Sequence, residues 1–238
     1  MKKLLLALSA GLAGFAATCG YAHAQTTIDQ SKALAGSVTP GDTPGFPVTL
    51  SLPGSYRLTS NLTVPVGADG ILITAENVTL DLNGFTIKGP GSCTKSASGY
   101  TVTCAPPSYH HGVNVNSTGL SESVVRNGTV QGFWFGVSME HGRAHDLSVL
   151  QNKVGLSGAA NLLASRISAR MNETGVQTGG LVSDSWAMFN SVGFRSNSSY
   201  ATLINSAASF NTVGVYQMNL NAVRAVGNTT DTSSTQNF

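Results

Sequence analysis

The hydrophobic positions of this chain follow two rhythms. Locally they alternate: Gly136-Val137-Ser138-Met139, Leu147-Ser148-Val149, Gly70-Ile71-Leu72-Ile73 and Val78-Thr79-Leu80-Asp81-Leu82 each repeat an apolar residue at every second position. That is the period of a half-buried strand. Over a longer distance, a glycine followed by a large apolar residue returns at Gly112-Val113, Gly136-Val137, Gly155-Leu156, Gly175-Val176, Gly193-Phe194 and Gly214-Val215. An asparagine stands three residues before four of these glycines, at Asn152, Asn172, Asn190 and Asn211, and Asn228 extends the series. The shared phrase is N-x-[VT]-G-[VLF]. Three places before each asparagine the residue is small and apolar (Val149, Ala169, Ala187, Ala208, Ala225), and immediately before it comes a longer side chain (Gln151, Met171, Phe189, Phe210).

A unit of about 20 residues is too short for two helices and a turn. Holding two or three short strands, it can coil once and stack on the next unit at about 4.8 Å, the spacing of hydrogen-bonded strands. The fold class expected is therefore all-β, a parallel β-helix solenoid of roughly seven or eight coils. In this reading the asparagines tolerate the left-handed backbone of a sharp corner and stack as a ladder. The glycines let the chain enter the next strand without a Cβ clash.

The N-terminal half fits the coil less regularly. Strand patterns at 52–58 and 62–66 precede those at 70–73 and 78–82, and the turn Asn83-Gly84 leads into Phe85-Thr86-Ile87-Lys88-Gly89. A second copy of that phrase is Arg126-Asn127-Gly128-Thr129-Val130-Gln131-Gly132. Between the copies lies an insertion at about 90–111, expected to project from one coil. Residues 25–50 are expected to form an N-terminal cap and lead-in, with a short helix within 28–35. The solenoid then occupies 51–228, and the Ser/Thr/Asn-rich tail at 229–238 is expected to be frayed.

The stretches LPGSYRLTSNLTV and GILITAENVTLDLNGFTIKG, with the repeated N-x-[VT]-G-V, resemble secreted bacterial proteins of the right-handed parallel β-helix, pectate-lyase-like superfamily. The resemblance covers roughly residues 45–228. It implies a right-handed coil, secretion and contact with carbohydrate. It does not imply one activity, since the superfamily includes lyases, hydrolases, epimerases and proteins without known chemistry.

Charge narrows the classes. Only 10% of residues are charged against 41% hydrophobic, which excludes a charged disordered tail and speaks against a nucleic-acid partner. The basic start Met1-Lys2-Lys3, the apolar run Leu4 to Ala17 and the small-x-small site Ala22-His23-Ala24 read as a signal peptide at residues 1–24. Without Lys2 and Lys3 the formal charge of +2 falls to zero, so it carries no information about partners. No later apolar run is long enough to cross a bilayer, and the expected location is secreted or periplasmic. Cys93 and Cys104 remain after cleavage, and an oxidising compartment favours a disulfide between them.

Two groups of residues are candidates for function. If the residue after each glycine points inward, the outward side chains of that strand include Asn114, Asn116, Gln177, Arg195, Asn197 and Tyr216, a strip able to hydrogen-bond sugar hydroxyls. The densest ionisable run is Glu140-His141-Gly142-Arg143-Ala144-His145-Asp146, with His110-His111 one coil earlier. Glu140, His141, Arg143 and His145 are its candidates for acid–base catalysis. A further outward column, Asp146, Arg166, Asp184 and Asn205, reads as a surface ion-pair ladder. No metal site is expected; calcium would need a cluster of carboxylates, which the repeats lack. The expected function is polysaccharide binding by an exported module. The alternatives are a lyase or epimerase acting on uronic-acid polymers, and a structural or adhesive solenoid. The oligomeric state is not legible.

Overall fold

The structure, a computed structural model, describes residues 25–97, 99–116, 122–198, 201–233 and 236–237. The expected signal peptide lies outside the described residues. The alternating stretches form short strands, and each full turn of the chain contributes to three parallel faces. The first face stacks Val48–Leu50, Ile71–Ile73, His111–Val115, the opening parts of Phe135–Leu150 and Val154–Arg170, then Thr174–Thr178, Val192–Ser196, Val213–Tyr216 and Thr230–Ser233. The second face runs from Thr26–Ile28 and Gly54–Leu58 to Asn219–Asn221 and Gln236–Asn237. The third runs from Leu62–Thr63 to Arg224–Val226. The chain is thus a parallel β-solenoid of about nine turns, more than the seven or eight expected. The lead-in supplies a first-face strand at Val48–Leu50, and the tail supplies paired strands at Thr230–Ser233 and Gln236–Asn237.

Register explains the core. Val113, Val137, Leu156, Val176, Phe194 and Val215 are successive partners on the first face, and all are buried. Each rung therefore lays an apolar side chain on its neighbour's, and burial of a Val, Leu or Phe contributes about 1.5–3 kcal/mol. The lead-in adds a helix, Gln30–Ala35, whose N-cap Asp29 accepts from the Lys32 backbone N–H at 2.8 Å. Its Ala33 is fully buried in the same core.

In the regular repeats, from about residue 146 to 210, two corners of each turn are each made by a single left-handed residue. Asp146, Arg166, Asp184 and Asn205 (φ 44° to 56°) bend the chain from the second face to the third. Gln151, Met171, Phe189 and Phe210 (φ 54° to 56°) bend it from the third back to the first. The asparagines do not make these bends, contrary to expectation; the residue before each one does. This turns the asparagine inward, where Asn152, Asn172, Asn190 and Asn211 are all 0% exposed. Each L-residue in this region costs about 1–2 kcal/mol, which the hydrogen bonds of the buried amides offset.

Those amides form a continuous file. The Oδ1 of Asn172 accepts from the Asn152 backbone N–H at 2.9 Å, and Asn190 and Asn211 do the same for Asn172 (2.9 Å) and Asn190 (2.8 Å). Each Nδ2 donates to a carbonyl of the turn before: Asn172 to Val149, Asn190 to Ala169 and Asn211 to Ala187, all at 3.0 Å. The file begins at the Phe133 N–H, which donates to Asn152 Oδ1, and ends where Asn228 Nδ2 donates to Asp231 Oδ1.

The insertion does not project. Its antiparallel hairpin, Cys93–Lys95 with Val102–Cys104, lies along the solenoid against the asparagine corner. The Cys104 N–H donates to Glu173 Oε1 at 2.7 Å, the Val102 N–H donates to Ser191 Oγ at 2.7 Å, and the Thr101 and Thr212 hydroxyls are 3.2 Å apart. Tyr100 packs on Phe189 and Phe210. The hairpin is thus a strap across successive turns, closed by a Cys93–Cys104 disulfide. Replacing both cysteines with serine should cost about 2 kcal/mol by lengthening the unfolded chain's reach. Limited proteolysis should then cut first near Gly99; an unchanged cleavage pattern would show that the strap's polar and aromatic contacts suffice without the bond.

Candidate functional site

The first face presents one straight file of polar side chains. Asn114, Ser138, Ser157, Gln177, Arg195 and Tyr216 are successive register partners, one rung apart at about 4.8 Å. The side chains of Asn114, Ser138, Ser157 and Gln177 have no intramolecular hydrogen-bond partner among the described residues. The Arg195 guanidinium lies 5.7 Å from the Tyr216 ring centroid. Asn116 and Asn197 stand exposed just past the strand ends, but Asn197 Nδ2 already donates to the Gly158 carbonyl at 2.8 Å.

An aromatic cluster adjoins the early rungs of this file. His111 and Phe135, partners at the strand starts, stack with centroids 5.3 Å apart. Tyr109, 61% exposed, packs against Trp134 at 5.2 Å and Phe135 at 5.4 Å. Lys153 Nζ sits 4.1 Å from the Trp134 ring centroid. Tyr109, Trp134 and Phe135 are not among the residues that the sequence pattern singles out. The available signal was positional: later turns place Val154, Thr174, Val192 and Val213 where Phe135 stands, so a ring there departs from the repeat.

Asp69 anchors the cluster from beneath. One of its oxygens, Oδ1, accepts from the His111 backbone N–H at 2.8 Å and lies 3.1 and 3.3 Å from Nδ1 of His110 and His111. Burial pushes this carboxyl up, but hydrogen bonds from His111 and His110, with the charge on His111, outweigh it and hold the pKa at about 2. A carboxylate depressed on folding contributes stability above its unfolded value near 3.8, and loses it as pH falls toward 2. Between pH 5 and 2 the wild type should lose about 1–2 kcal/mol more than Asp69→Asn, after allowance for solvent screening. Urea midpoints at the two pH values measure this; parallel losses would show that Asp69 contributes nothing to the acid response.

The ionisable run divides among separate partners. Glu140 is exposed beside a bulge between Met139 and His141. His141 Nδ1 is 3.1 Å from Asn161 Nδ2, Arg143 is 3.6 Å from Glu122, and His145 Nδ1 is 2.6 Å from Asp146 Oδ2. Asp146 also accepts both arms of Arg166, at 2.6 and 2.9 Å. Hydrogen bonds from Arg166 and His145 hold the Asp146 carboxyl far below the usual carboxylate range. Further along that corner, Asn205 Nδ2 donates to Asp184 Oδ1 at 2.6 Å.

Arg143 and His145 share one surface. They line a shallow depression of about 270 Å3 on the second face with Leu163, Ser165, Leu181 and Ser183, and no carboxylate lines it. His110 and His111 belong instead to the first face, with Asp69. Among the described residues no three His, Cys, Asp or Glu side chains converge as a metal site requires, and no helix is long and apolar enough to cross a membrane. The fold and these surfaces define a parallel β-solenoid protein. No protein-family model matches the chain, and no curated protein shows significant similarity to it.

Proposed function

We propose that this solenoid is an exported polysaccharide-binding module of the pectate-lyase-like type, reading its ligand along the first face. One observation carries the proposal: a file of polar side chains with unengaged hydrogen-bonding groups, bordered by Tyr109, Trp134 and Phe135 near its start and by Tyr216 at its far end. Sugar hydroxyls take hydrogen bonds from such amides and hydroxyls, and the apolar faces of sugar rings pack on aromatic rings. The basic-apolar leader and the disulfide support an oxidising, extracytoplasmic location. The reading requires no cofactor and leaves the oligomeric state open. A lyase or epimerase has less support, because Glu140, His141, Arg143 and His145 have separate partners or none.

A glycan array on residues 25–238 tests the proposal. The expected result is binding to a restricted set of polysaccharides, weakened about tenfold or more by the double substitution Asn114→Ala with Gln177→Ala. Binding untouched by that pair, or no binding to any glycan, would remove the first face as a recognition surface. An unsaturated-product absorbance assay on uronic-acid polymers, with Glu140→Gln as control, reads lyase turnover separately.

A further inference from the structure

The third face carries a surface of different character. Trp186, one of two tryptophans, is 55% exposed. It stands in an outward column whose members in register are Thr129, Ser148, Ser168, Trp186, Ala207 and Arg224. Its neighbours in the turns before and after are therefore small, and nothing overlies the indole. The core does not need this ring, since the inward place beside it is filled by Ala187, fully buried. An exposed indole among small polar neighbours departs from the composition of an ordinary solvated sheet face.

Trp186 lines two depressions. One, toward the preceding turn, has a volume of about 300 Å3 and is shared with Ser168, Arg170 and Met188. The other, toward the following turns, is about 400 Å3 and includes Asp184, Asn205, Ala207 and Arg224. Small-ligand sites commonly fall between about 300 and 1,000 Å3. The two arginines here, like Arg195 on the first face, lack the carboxylate partners that other arginines have. Arg126, Arg143 and Arg166 each face a carboxylate, whereas Arg170 and Arg224 are exposed and have neither a hydrogen-bond nor a carboxylate partner among the described residues. Arg170 lies one turn before Trp186 and Arg224 two turns after, so their backbone positions are separated by about three rungs, on the order of 14 Å along the axis. Asp184, the one acid lining the site, accepts from Asn205 and keeps its charge, so two guanidiniums against one carboxylate leave a net positive charge.

We infer that the third face is a second glycan site, selective for acidic sugars. A sugar ring packs on the Trp186 indole, and anionic groups of the flanking sugar units pair with Arg170 and Arg224. Guanidinium suits this because its planar fork binds carboxylate or sulfate oxygens in pairs. The small side chains of Ser168 and Ala207, in register on either side of Trp186, leave room for a chain lying along the axis. The site uses no residue of the first face, so the two readings stand or fall separately.

The test uses residues 25–238 carrying Trp134→Phe, which leaves Trp186 as the lone tryptophan, excited selectively beyond the tyrosine band, and keeps a ring in the first-face cluster. Three probes are titrated at low salt: an alginate oligosaccharide, a dextran sulfate fragment and neutral dextran. An acidic probe is expected to shift or quench the Trp186 emission, and added salt should weaken its binding. By calorimetry, Trp186→Ala should lower its affinity about tenfold or more, and the Arg170→Gln, Arg224→Gln double variant should reduce it to the level of dextran. Response to either acid supports the inference, and the stronger response identifies carboxylate or sulfate as the charged group. Because these side chains are exposed, unchanged thermal midpoints serve as the folding control. Neutral dextran binding as tightly as the acids, or acid binding untouched by Trp186→Ala, would overturn it. If the Asn114, Gln177 variant abolishes array binding while the Trp186 response persists, both sites stand. If the Trp186 response is absent while array binding is intact, only this site fails.

Discussion

Replacing Gly175 with alanine should destabilise the solenoid by about 3 kcal/mol, lowering the thermal midpoint by roughly 6–12 °C. A Cβ at this position would fall 2.5 Å from the Gly193 carbonyl oxygen and 3.0 Å from the Ala169 Cβ. The first obstacle is backbone of the next rung, so no side-chain rotation relieves it. Nor can that rung retreat, because Val176 and Phe194 pair within the same ladder and the asparagine file fixes the spacing beside it. The same 2.5 Å approach to the next rung's carbonyl recurs at Gly136, Gly155, Gly193 and Gly214, which is why glycine recurs once per turn. Gly41→Ala is the control: a Cβ there meets nothing within 4 Å, but its φ is +84°, so it should cost only about 1 kcal/mol. Urea denaturation of the two variants separates crowding from backbone strain. Equal, small losses would mean that the rungs part locally, and the glycine column would then need another explanation.

This bears on what was legible in the chain. The phrase N-x-[VT]-G-[VLF] exposed the fold because its fixed places answer to separate constraints of a rung: an amide facing inward, a backbone with no room for Cβ, and an apolar side chain on the core stack. The corner residues were not legible. Gln151, Met171, Phe189 and Phe210 share a left-handed backbone but no side-chain chemistry, so the pattern points to the more conspicuous asparagine beside them. The strap's lie along the solenoid is not legible, because its anchors, Glu173, Ser191 and Thr212, come three to five turns further along and show no local pattern. The polar file on the first face followed directly from strand alternation. The rings beside it did not, since Tyr109 and Trp134 come from the chain leading into their strands rather than from the alternating positions. The run from Glu140 to Asp146 was dense in sequence for a reason that disperses it in space: it spans a bulge, most of the second face and a corner.

The asparagine file should show its weight most clearly in Asn190→Ala, with an expected loss of about 3–4 kcal/mol. Asn190 Oδ1 accepts from both the N–H and the Nδ2 of Asn172, at 2.9 and 3.0 Å, and its own Nδ2 donates to the Ala169 carbonyl and to Asn211 Oδ1, both at 3.0 Å. Truncation leaves the Asn172 N–H and the Ala169 carbonyl without those partners in a fully buried corner. Each buried polar group left unpaired costs about 1–3 kcal/mol. Asn228→Ala removes the same kind of side chain from the last rung of the file, where the group is only partly buried. The Asn211 N–H and Ala208 carbonyl that it engages belong to buried residues, but the space the amide vacates at the partly exposed end of the file admits water to them, and the expected loss is about 1–2 kcal/mol. The contrast isolates burial from hydrogen-bond number, since each amide engages a carbonyl and its neighbour in the file. Hydrogen exchange adds a local readout: the Asn172 amide should lose protection in Asn190→Ala and keep it in Asn228→Ala. If the two variants lost equal stability, the amides would be acting as independent surface bonds, and the left-handed corners would lack the compensation that holds them in place.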